Sequence, residues 1–416
     1  GWAKLSLKGV KGQKVMLRYG EMLNSDSTLH TRNLRSARSS DTYIFSGSES
    51  EVYEPRFTYH GFRFVEITGL TEKPTKQQIV GVVLHSNLER SGSFSCSDSL
   101  INQIQRNIVW SQRSNYIDVP TDCPQRDERM GWTGDAQLFL PTASYNMNVA
   151  PFFNKWMDDL LDGQAQNGQF PSTAPKVYNR ISSGWGDAGV ICPWILFHFY
   201  NDTLLLKKYY PAMKKWMKFR DEHSENFIST LESYGDWQNN DDETPIALIS
   251  TAYHKRCADL MAEMARILDN TADQLEFEAL SRNIFESFNS EFVDENGSIL
   301  GNTQTGYLIV LGFDLLPSPI KSKATQHLVG LIHQNDTSLS TGILGTQLLL
   351  PVLTENGHID LAYRLLMNTA FPSWGHQIQN GASTIWERWD GYSHENGFHE
   401  DSTNSFNHYA QGSIGE

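Results

Sequence analysis

One stretch of eighteen residues concentrates acidic, basic and aromatic side chains that could carry out chemistry. Residues 118–135 (DVPTDCPQRDERMGWTGD) hold five carboxylates, two arginines and one tryptophan. Two prolines four residues apart disfavour both a helix and a central strand, so the pattern predicts an ordered loop. Cleavage of a glycosidic bond needs one carboxylic acid to protonate the leaving oxygen and a second carboxylate to activate water or attack directly. Acids beside an indole ring therefore favour sugar chemistry over a merely solvated loop.

Glu128 is the candidate general acid in this stretch. It lies among Asp122, Asp127 and Asp135, and neighbouring negative charges favour the protonated form that a general acid needs near neutral pH. Trp132, four residues further on, can lower the local dielectric and act in the same direction. The alternative is a glutamate that only caps a helix or forms an ion pair.

Glu387 is the candidate second carboxylate, in the later segment 383–390 (STIWERWD). Trp386 and Trp389 flank it. The adjacent Arg388 can hold Glu387 ionised, which suits a general base. A structural ion pair is the alternative for this glutamate as well.

Five loop segments share this character, and four of them place a carboxylate within three residues of a tryptophan. They are 118–135, 183–188, 234–237, 383–390 and 404–409. Loops between helices can converge on one site, and these segments are predicted to do so. Within them, Trp185 and Trp237 fit sugar binding and core packing equally well, and a lone histidine such as His408 is more often structural than catalytic.

The elements that must position these loops change in character along the chain. Residues 1 to about 90 are predicted to form β-structure, because segments 14–19 and 57–67 alternate polar and apolar residues and 78–85 is a further apolar run. Serine- and glycine-rich breaks, such as residues 46–50, separate them. The pattern predicts a small β-sandwich.

From residue 96 onwards the apolar spacing is that of helices. The first covers 98–110 with Ser97 or Asp98 as its N-cap. Ten more are predicted near 135–148, 151–163, 190–199, 203–220, 250–268, 271–290, 304–312, 320–333, 342–353 and 357–368. Since no tight repeat is present, a closed α/α toroid with the loops at the mouth of a funnel is favoured over an α-solenoid.

Composition narrows the class of protein. A chain of 416 residues with 39% hydrophobic and 12% aromatic residues can bury a large core in two or three domains. A net charge of -14 disfavours nucleic-acid partners and polybasic membrane contacts. The four cysteines are far apart, so neither a zinc site nor a disulfide framework is predicted, and no apolar run is long enough for a membrane span.

Three of these segments resemble one known family. Residues 122–136 (DCPQRDERMGWTGDA), 386–389 (WERW) and 407–409 (NHY) resemble the bacterial α-L-rhamnosidases of glycoside hydrolase family 78. The resemblance covers nearly the whole chain and implies a β-sandwich domain at 1–92 followed by an (α/α)6-barrel catalytic domain at 93–416. Members of the family normally carry a C-terminal β domain after the barrel and additional N-terminal domains, so the resemblance also implies that the chain is truncated at both ends.

The resemblance implies an exo-acting, inverting hydrolase that releases terminal L-rhamnose from an oligosaccharide or glycoside, with no cofactor and no metal. It gives Glu128 the role of general acid and Glu387 that of general base. The implied substrate-binding residues are Asp122, Arg126, Trp132, Asp135, Trp185, Asp187, Trp237, Trp389 and His408. A toroid glycosidase of another sugar specificity, or a rhamnose-binding fragment without activity, are the alternatives.

Overall fold

The computed structural model describes residues 1–178 and 180–416, and its first part consists of short β-strands. The strands are β1 (Trp2–Leu7), β2 (Lys14–Gly20), β3 (Met22–Leu23), β4 (Leu29–His30), β5 (Ser40–Ile44), β6 (Glu51–Tyr53), β7 (Phe64–Thr68) and β8 (Ile79–Val82). They form two antiparallel three-stranded sheets, in the orders β6–β1–β8 and β5–β2–β7, and one small hairpin of β3 and β4.

The two larger sheets share one core, as a β-sandwich requires. Every second residue of the central strands is buried, because side chains alternate between the two faces of a strand. The buried residues are Ala3, Leu5 and Leu7 of β1 and Val15, Leu17 and Tyr19 of β2, and they belong to one apolar cluster with Phe45. The predicted sandwich is confirmed.

The predicted strand over 57–67 is wrong in its first half, since β7 begins at Phe64. The preceding segment lies outside the strands and contacts both β5 and the acidic loop through its side chains and backbone. The His60 ring lies 3.2 Å from the Asp41 carboxylate. At Gly61 a Cβ atom would lie only 2.6 Å from the Pro124 backbone, so this glycine permits close approach to the acidic loop.

The second part of the chain is helical. Its helices are α1 (Ser99–Asn115), α2 (Thr133–Asn146), α3 (Ala150–Asp162), α4 (Ala188–Tyr200), α5 (Thr203–Glu222), α6 (Ile246–Ile267), α7 (Thr271–Phe292), α8 (Gln304–Gly312), α9 (Ser318–Gln334), α10 (Ile343–Glu355), α11 (Ile359–Leu366) and α12 (Trp374–Gln379). Three hairpins of two-residue strands lie between them: β9 (Tyr116–Ile117) with β10 (Val119–Pro120), β11 (Ser224–Glu225) with β12 (Ile228–Ser229), and β13 (Tyr392–Ser393) with β14 (Gly397–Phe398).

Helices α2, α4, α6, α8 and α10 form a closed inner ring. Helix α2 packs on α4, α4 on α6, α6 on α8, α8 on α10, and α10 returns to α2. The 3-10 helix Ala410–Gly415 packs against both α10 and α2 and occupies a sixth inner position. The toroid predicted from the sequence is therefore confirmed.

Burial explains which helices take the inner positions. Helices α2, α4, α8 and α10 are apolar or small on nearly all sides, and a helix of that kind is stable only when it is surrounded by protein. Helix α11 in the outer layer buries only one face, through Leu361, Ala362 and Leu365. Each of the eleven predicted helices overlaps an observed one, while α12, with six residues, was not predicted.

The five predicted loop segments all precede inner elements. Segment 118–135 leads into α2, 183–188 into α4 and 234–237 into α6, while 383–390 and 404–409 lead to the 3-10 helix. The amino-terminal ends of alternate elements in a ring of helical hairpins lie at the same end of the ring. This topology brings the loops together there.

All four cysteines are free thiols, and only Cys96 is exposed. Among the helices of the described residues, none has both the length and the apolar character to cross a membrane.

Candidate active site

A cavity of about 290 Å³ lies where the loops meet. All five loop segments contribute to its wall, as the sequence predicted. The lining residues are Arg35, Asp122, Arg126, Glu128, Trp132, Asp135, Tyr178, Arg180, Trp185, Tyr234, Trp237, Glu387, Thr403 and His408. Of the eleven predicted site residues, Asp187 and Trp389 are the two that do not line it.

Hydrogen bonds between its own residues hold the acidic loop in one conformation. The β9–β10 hairpin turns at Asp118, whose φ of 66° is left-handed and suits aspartate better than most residues. The Asp122 N–H then donates to the Met130 carbonyl at 3.0 Å, and the Met130 N–H donates back to Asp122 Oδ1 at 3.0 Å. This closure folds residues 122–130 into a compact loop, and α2 begins three residues later at Thr133.

Arg126 joins three carboxylates at the floor of the cavity. Its Nε donates to Glu128 Oε2 at 2.9 Å, and its Nη2 donates to Asp122 Oδ2 at 3.2 Å. Its Nη1 and Nη2 donate to the two oxygens of Glu387 at 2.6 and 3.3 Å. The arginine side chain is almost fully buried, where such charge-assisted contacts are strong. One guanidinium therefore connects the candidate acid to the candidate base.

Glu387 is buried and held in its ionised form. Burial raises its pKa, but the Arg126 guanidinium and the Ser405 N–H, which donates to Oε2 at 2.9 Å, outweigh burial and lower the pKa to about 2. The expectation that Arg388 supplies this charge is wrong. The Arg388 side chain points to Asp390, with 2.9 Å between Nε and Oδ1, so it is not the cation that holds Glu387.

Glu128 is the more accessible of the two glutamates. Its Oε1 accepts a hydrogen bond from Trp132 Nε1 at 2.8 Å, so the indole contact is polar rather than only apolar. Its Oε2 accepts from Arg126 and also from Arg35 Nη1, at 3.0 Å. Asp127, which was expected to add negative charge beside Glu128, accepts from Ser36 instead. The protonated state expected of Glu128 stays a prediction.

Two further carboxyl groups in the wall are buried. Burial and the nearby Glu128 raise the pKa of Asp122 to about 7, against the opposing effect of Arg126. Burial raises the pKa of Asp135 well above its usual range, and Asp135 Oδ1 lies 3.2 Å from His408 Nε2. Burial also lowers the pKa of His408, which favours the neutral imidazole. A protonated carboxyl group and a neutral imidazole each offer both a hydrogen-bond donor and an acceptor to a bound molecule.

Aromatic side chains form the remaining wall. The Tyr234 ring stands edge-on to the rings of Trp185 and Trp132, with centroids 4.9 and 5.6 Å away. Trp185 is buried against Gly134, where a Cβ atom would lie 2.6 Å from the indole. Trp237 is 37% exposed at the rim. This apolar surface opposite a cluster of acids suits a sugar, which has both an apolar face and hydroxyl groups.

Asp187 and Trp389, predicted to bind the sugar, have partners in the protein interior. The Asp187 carboxylate is fully buried and accepts from Arg220 Nη1 at 3.1 Å, from Trp216 Nε1 and from the Gly184 N–H. Trp389 donates through Nε1 to the Thr341 carbonyl at 2.8 Å and is buried. Both belong to the predicted loops, but these hydrogen bonds hold their side chains in the protein interior, away from the cavity.

Five lining residues were not predicted from the sequence. They are Arg35, Tyr178, Arg180, Tyr234 and Thr403. Tyr234 lies inside a predicted loop segment, and the aromatic character of that segment is a signal that could have identified it. Arg35 comes from the β-region, and nothing in the spacing of the sequence indicates its proximity to Glu128.

Within the described residues, one group has the donor atoms to hold a metal ion, namely Asp122, Cys123 and Glu128. Both carboxylates already contact the Arg126 guanidinium, which supplies positive charge at this position. Burial raises the pKa of the Cys123 thiol well above its usual range, which disfavours the thiolate that metals bind. The ion pairs with Arg126 are sufficient to hold the two carboxylates close together.

Known proteins show the same organisation. The family model of the bacterial alpha-L-rhamnosidase 6 hairpin glycosidase domain matches residues 89–416, and the concanavalin-like domain of the same family matches residues 1–85. An alpha-L-rhamnosidase of Streptomyces avermitilis is 45% identical over 100% of this chain and 40% of its own length. One from Formosa agariphila is 44% identical over 97% of this chain and 45% of its own length.

A crystal structure of the Streptomyces avermitilis alpha-L-rhamnosidase complexed with L-rhamnose superposes with a TM-score of 0.97 at 44% identity, over 99% of this chain and 40% of that one. The chain thus spans less than half the length of these relatives. With a β-sandwich, a ring of helical hairpins and matches over almost all of its residues, the chain belongs to the bacterial α-L-rhamnosidase family.

Proposed function

We propose that the protein is an exo-acting, inverting α-L-rhamnosidase that hydrolyses terminal L-rhamnose from oligosaccharides or glycosides. The observation that carries the proposal is the pairing of Glu128 and Glu387 through Arg126 in an aromatic-walled cavity. Family membership supports L-rhamnose as the sugar, since the relatives described above are named alpha-L-rhamnosidases. The chemistry needs two carboxylates in different protonation states, and the two glutamates have different surroundings.

In this proposal Glu387 is the general base. Arg126 keeps it ionised, so that it can take a proton from a water molecule attacking the anomeric carbon. Glu128 is the general acid and protonates the glycosidic oxygen on the opposite face of the sugar. Its greater exposure supports a position beside the leaving group. Inversion further predicts that the carboxyl groups are about 6.5–9.5 Å apart when substrate is bound.

The remaining lining residues are proposed to bind the rhamnose ring. Asp122, Asp135 and His408 can exchange hydrogen bonds with its hydroxyl groups. Trp132, Trp185 and Trp237 can pack against its apolar face and methyl group. Arg126 contributes by positioning the carboxylates.

We also propose a two-domain division near residue 92. Residues after β8 already pack on the barrel: the Asn148 N–H donates to the Glu89 carbonyl at 2.8 Å, and the Ser91 hydroxyl donates to the Ser144 carbonyl at 2.7 Å. The segment from about 86 to 92 therefore serves as the connection between the sandwich and the barrel.

The test is hydrolysis of a nitrophenyl α-L-rhamnoside by the wild type and by Glu128→Gln and Glu387→Gln. Each amide is isosteric but cannot transfer the proton, so each variant should lose at least about 100-fold in kcat. Asp118→Asn and Glu395→Gln are matched controls, because both side chains are exposed and do not line the cavity. Full activity in either glutamate variant would remove that residue from its role.

A panel of other nitrophenyl glycosides separates the alternatives. Cleavage of a glucoside but not of the rhamnoside would indicate a toroid glycosidase of different specificity. Rhamnose binding by calorimetry without any turnover would indicate a binding protein. The presence of both carboxylates favours the enzyme.

A further inference from the structure

The β-region places one arginine in the wall of the barrel's cavity. Arg35 follows a short 3-10 helix, Arg32–Leu34, and adopts a left-handed backbone with φ of 54°. Its Nη1 donates to Glu128 Oε2 at 3.0 Å, and its Nη2 donates to Thr403 Oγ1 at 3.0 Å. The guanidinium thus bridges the acidic loop and the segment that follows Glu387.

The segment around Arg35 is attached to the acidic loop by contacts of its own. The Ser36 hydroxyl and N–H both donate to Asp127 Oδ2, directly before Glu128. The Asn33 carbonyl accepts from Gln125 Nε2 at 3.5 Å. Arg35 is therefore held in place without depending on its own ion pair, and Asp127 acquires a role as an attachment point.

Arg35 differs from Arg126 in what it contacts. Arg126 is shared among Asp122, Glu128 and Glu387, so its loss would disturb both proposed catalytic groups. Within the described part of the chain, Glu128 is the one carboxylate paired with Arg35. The Arg35 side chain is 30% exposed, against 2% for Arg126. Substitution of Arg35 therefore changes the surroundings of Glu128 without removing an ion pair of Asp122 or Glu387.

Several charged or titratable groups face Glu128 from the elements around it. They are Asp122, Cys123 and Arg126 from its own loop, Asp135 from α2, Glu387 and His408 from the later segments, and Arg35 from the β-region. Arg35 and Arg126 are the two permanent cations among them. Removal of Arg35 leaves Glu128 with one cation and several acids.

We propose that Arg35 is a positioning residue that fixes the orientation of Glu128 and supplies one of the two positive charges beside this carboxyl group. The inference rests on the proposed function, in which Glu128 is the general acid. Loss of the bridge lets the carboxyl group rotate away from the glycosidic oxygen, which lowers kcat. Loss of the positive charge favours the protonated acid, so the alkaline limb of the pH–rate profile moves to higher pH.

The experiment measures kcat, KM and the pH profile of kcat/KM on a nitrophenyl α-L-rhamnoside for the wild type, Arg35→Met and Arg35→Lys. We expect Arg35→Met to lose about 10- to 100-fold in kcat and to shift the alkaline limb upward by about half a pH unit or more. Arg35→Lys keeps the charge but cannot reach both partners, so it should lose kcat without the shift. Arg18→Met removes an arginine that pairs with Glu66 on the sandwich, and it should match the wild type.

Each other outcome overturns the proposal. A wild-type profile in Arg35→Met removes the role of Arg35, and equal shifts in the Met and Lys variants show that its charge is irrelevant. The same shift in Ser36→Ala assigns the effect to attachment of the β-region. If thermal unfolding shows that Arg35→Met does not fold, the Arg35→Lys variant decides the question. An unchanged kcat in that variant contradicts the proposal. A wild type without rhamnosidase activity rejects the proposed function first, and this inference with it.

Discussion

At the scale of single residues, the state of each proposed catalytic carboxylate depends on which cation it contacts. The sequence identified both glutamates from their acidic and aromatic neighbours, but it assigned Glu387 to the adjacent Arg388. In the structure the cation that pairs with Glu387 is Arg126, which lies 261 residues earlier in the chain. Neighbours along a chain are easily predicted, whereas an ion pair across the fold depends on which way each side chain points.

The Arg126–Glu387 pair predicts a specific dependence of stability on pH. The pKa of Glu387 is about 2 in the folded protein and about 4.5 in its ordinary state. A carboxyl group with a lowered pKa stabilises the fold above the ordinary value, and this contribution is lost as the pH falls toward the folded value. The advantage of the wild type over Glu387→Gln in unfolding free energy should therefore shrink by about 2 kcal/mol between about pH 5 and about pH 3.

Urea denaturation at each pH measures this difference, with the exposed Glu395→Gln as the control. The control should differ from the wild type by a small and constant amount. A constant difference for Glu387→Gln would mean that Arg126 does not hold the carboxylate ionised.

At the scale of elements, the helices were predictable because four of the inner helices, α2, α4, α8 and α10, are apolar or small on nearly all sides, while outer helices such as α11 have one apolar face. The loop contacts that fix the helix ends were not predictable. Asp236 is an example: its buried carboxylate accepts from the Thr305 hydroxyl and from the N–H groups of Gly342, Leu344 and Gly345 at the start of α10. A carboxylate at a helix amino terminus is stabilising, but the sequence does not show that it comes from a loop more than a hundred residues away.

Asp236→Ala removes the acceptor for these donors and should lower the unfolding free energy by about 3 kcal/mol. Trp237 at the cavity rim should also move, so KM should rise more than kcat falls. Denaturant unfolding and steady-state kinetics measure the two effects. Glu243→Ala, an exposed residue of the same loop, is the matched control. Equal stability of the Asp236→Ala and control proteins would contradict the capping role.

At the scale of the whole molecule, closure of the ring creates the site. Contacts of α10 and of the 3-10 helix with α2 bring the segment containing Glu387 to the acidic loop. The toroid and the convergence of the loops followed from the sequence, because helices and loops alternate regularly. The docking of the sandwich did not, since Arg35 and Ser36 have no pattern that points to Glu128 and Asp127.

In the proposed reaction, the two glutamates joined by Arg126 act on opposite faces of a terminal rhamnose. Proton NMR during hydrolysis of an α-L-rhamnoside by the wild type tests it most directly, by showing which anomer of the free sugar forms first. An inverting reaction releases β-L-rhamnose at early times, followed by slow mutarotation to the equilibrium mixture. If α-L-rhamnose appeared first, the reaction would proceed with retention, and the roles given to Glu128 and Glu387 would be contradicted.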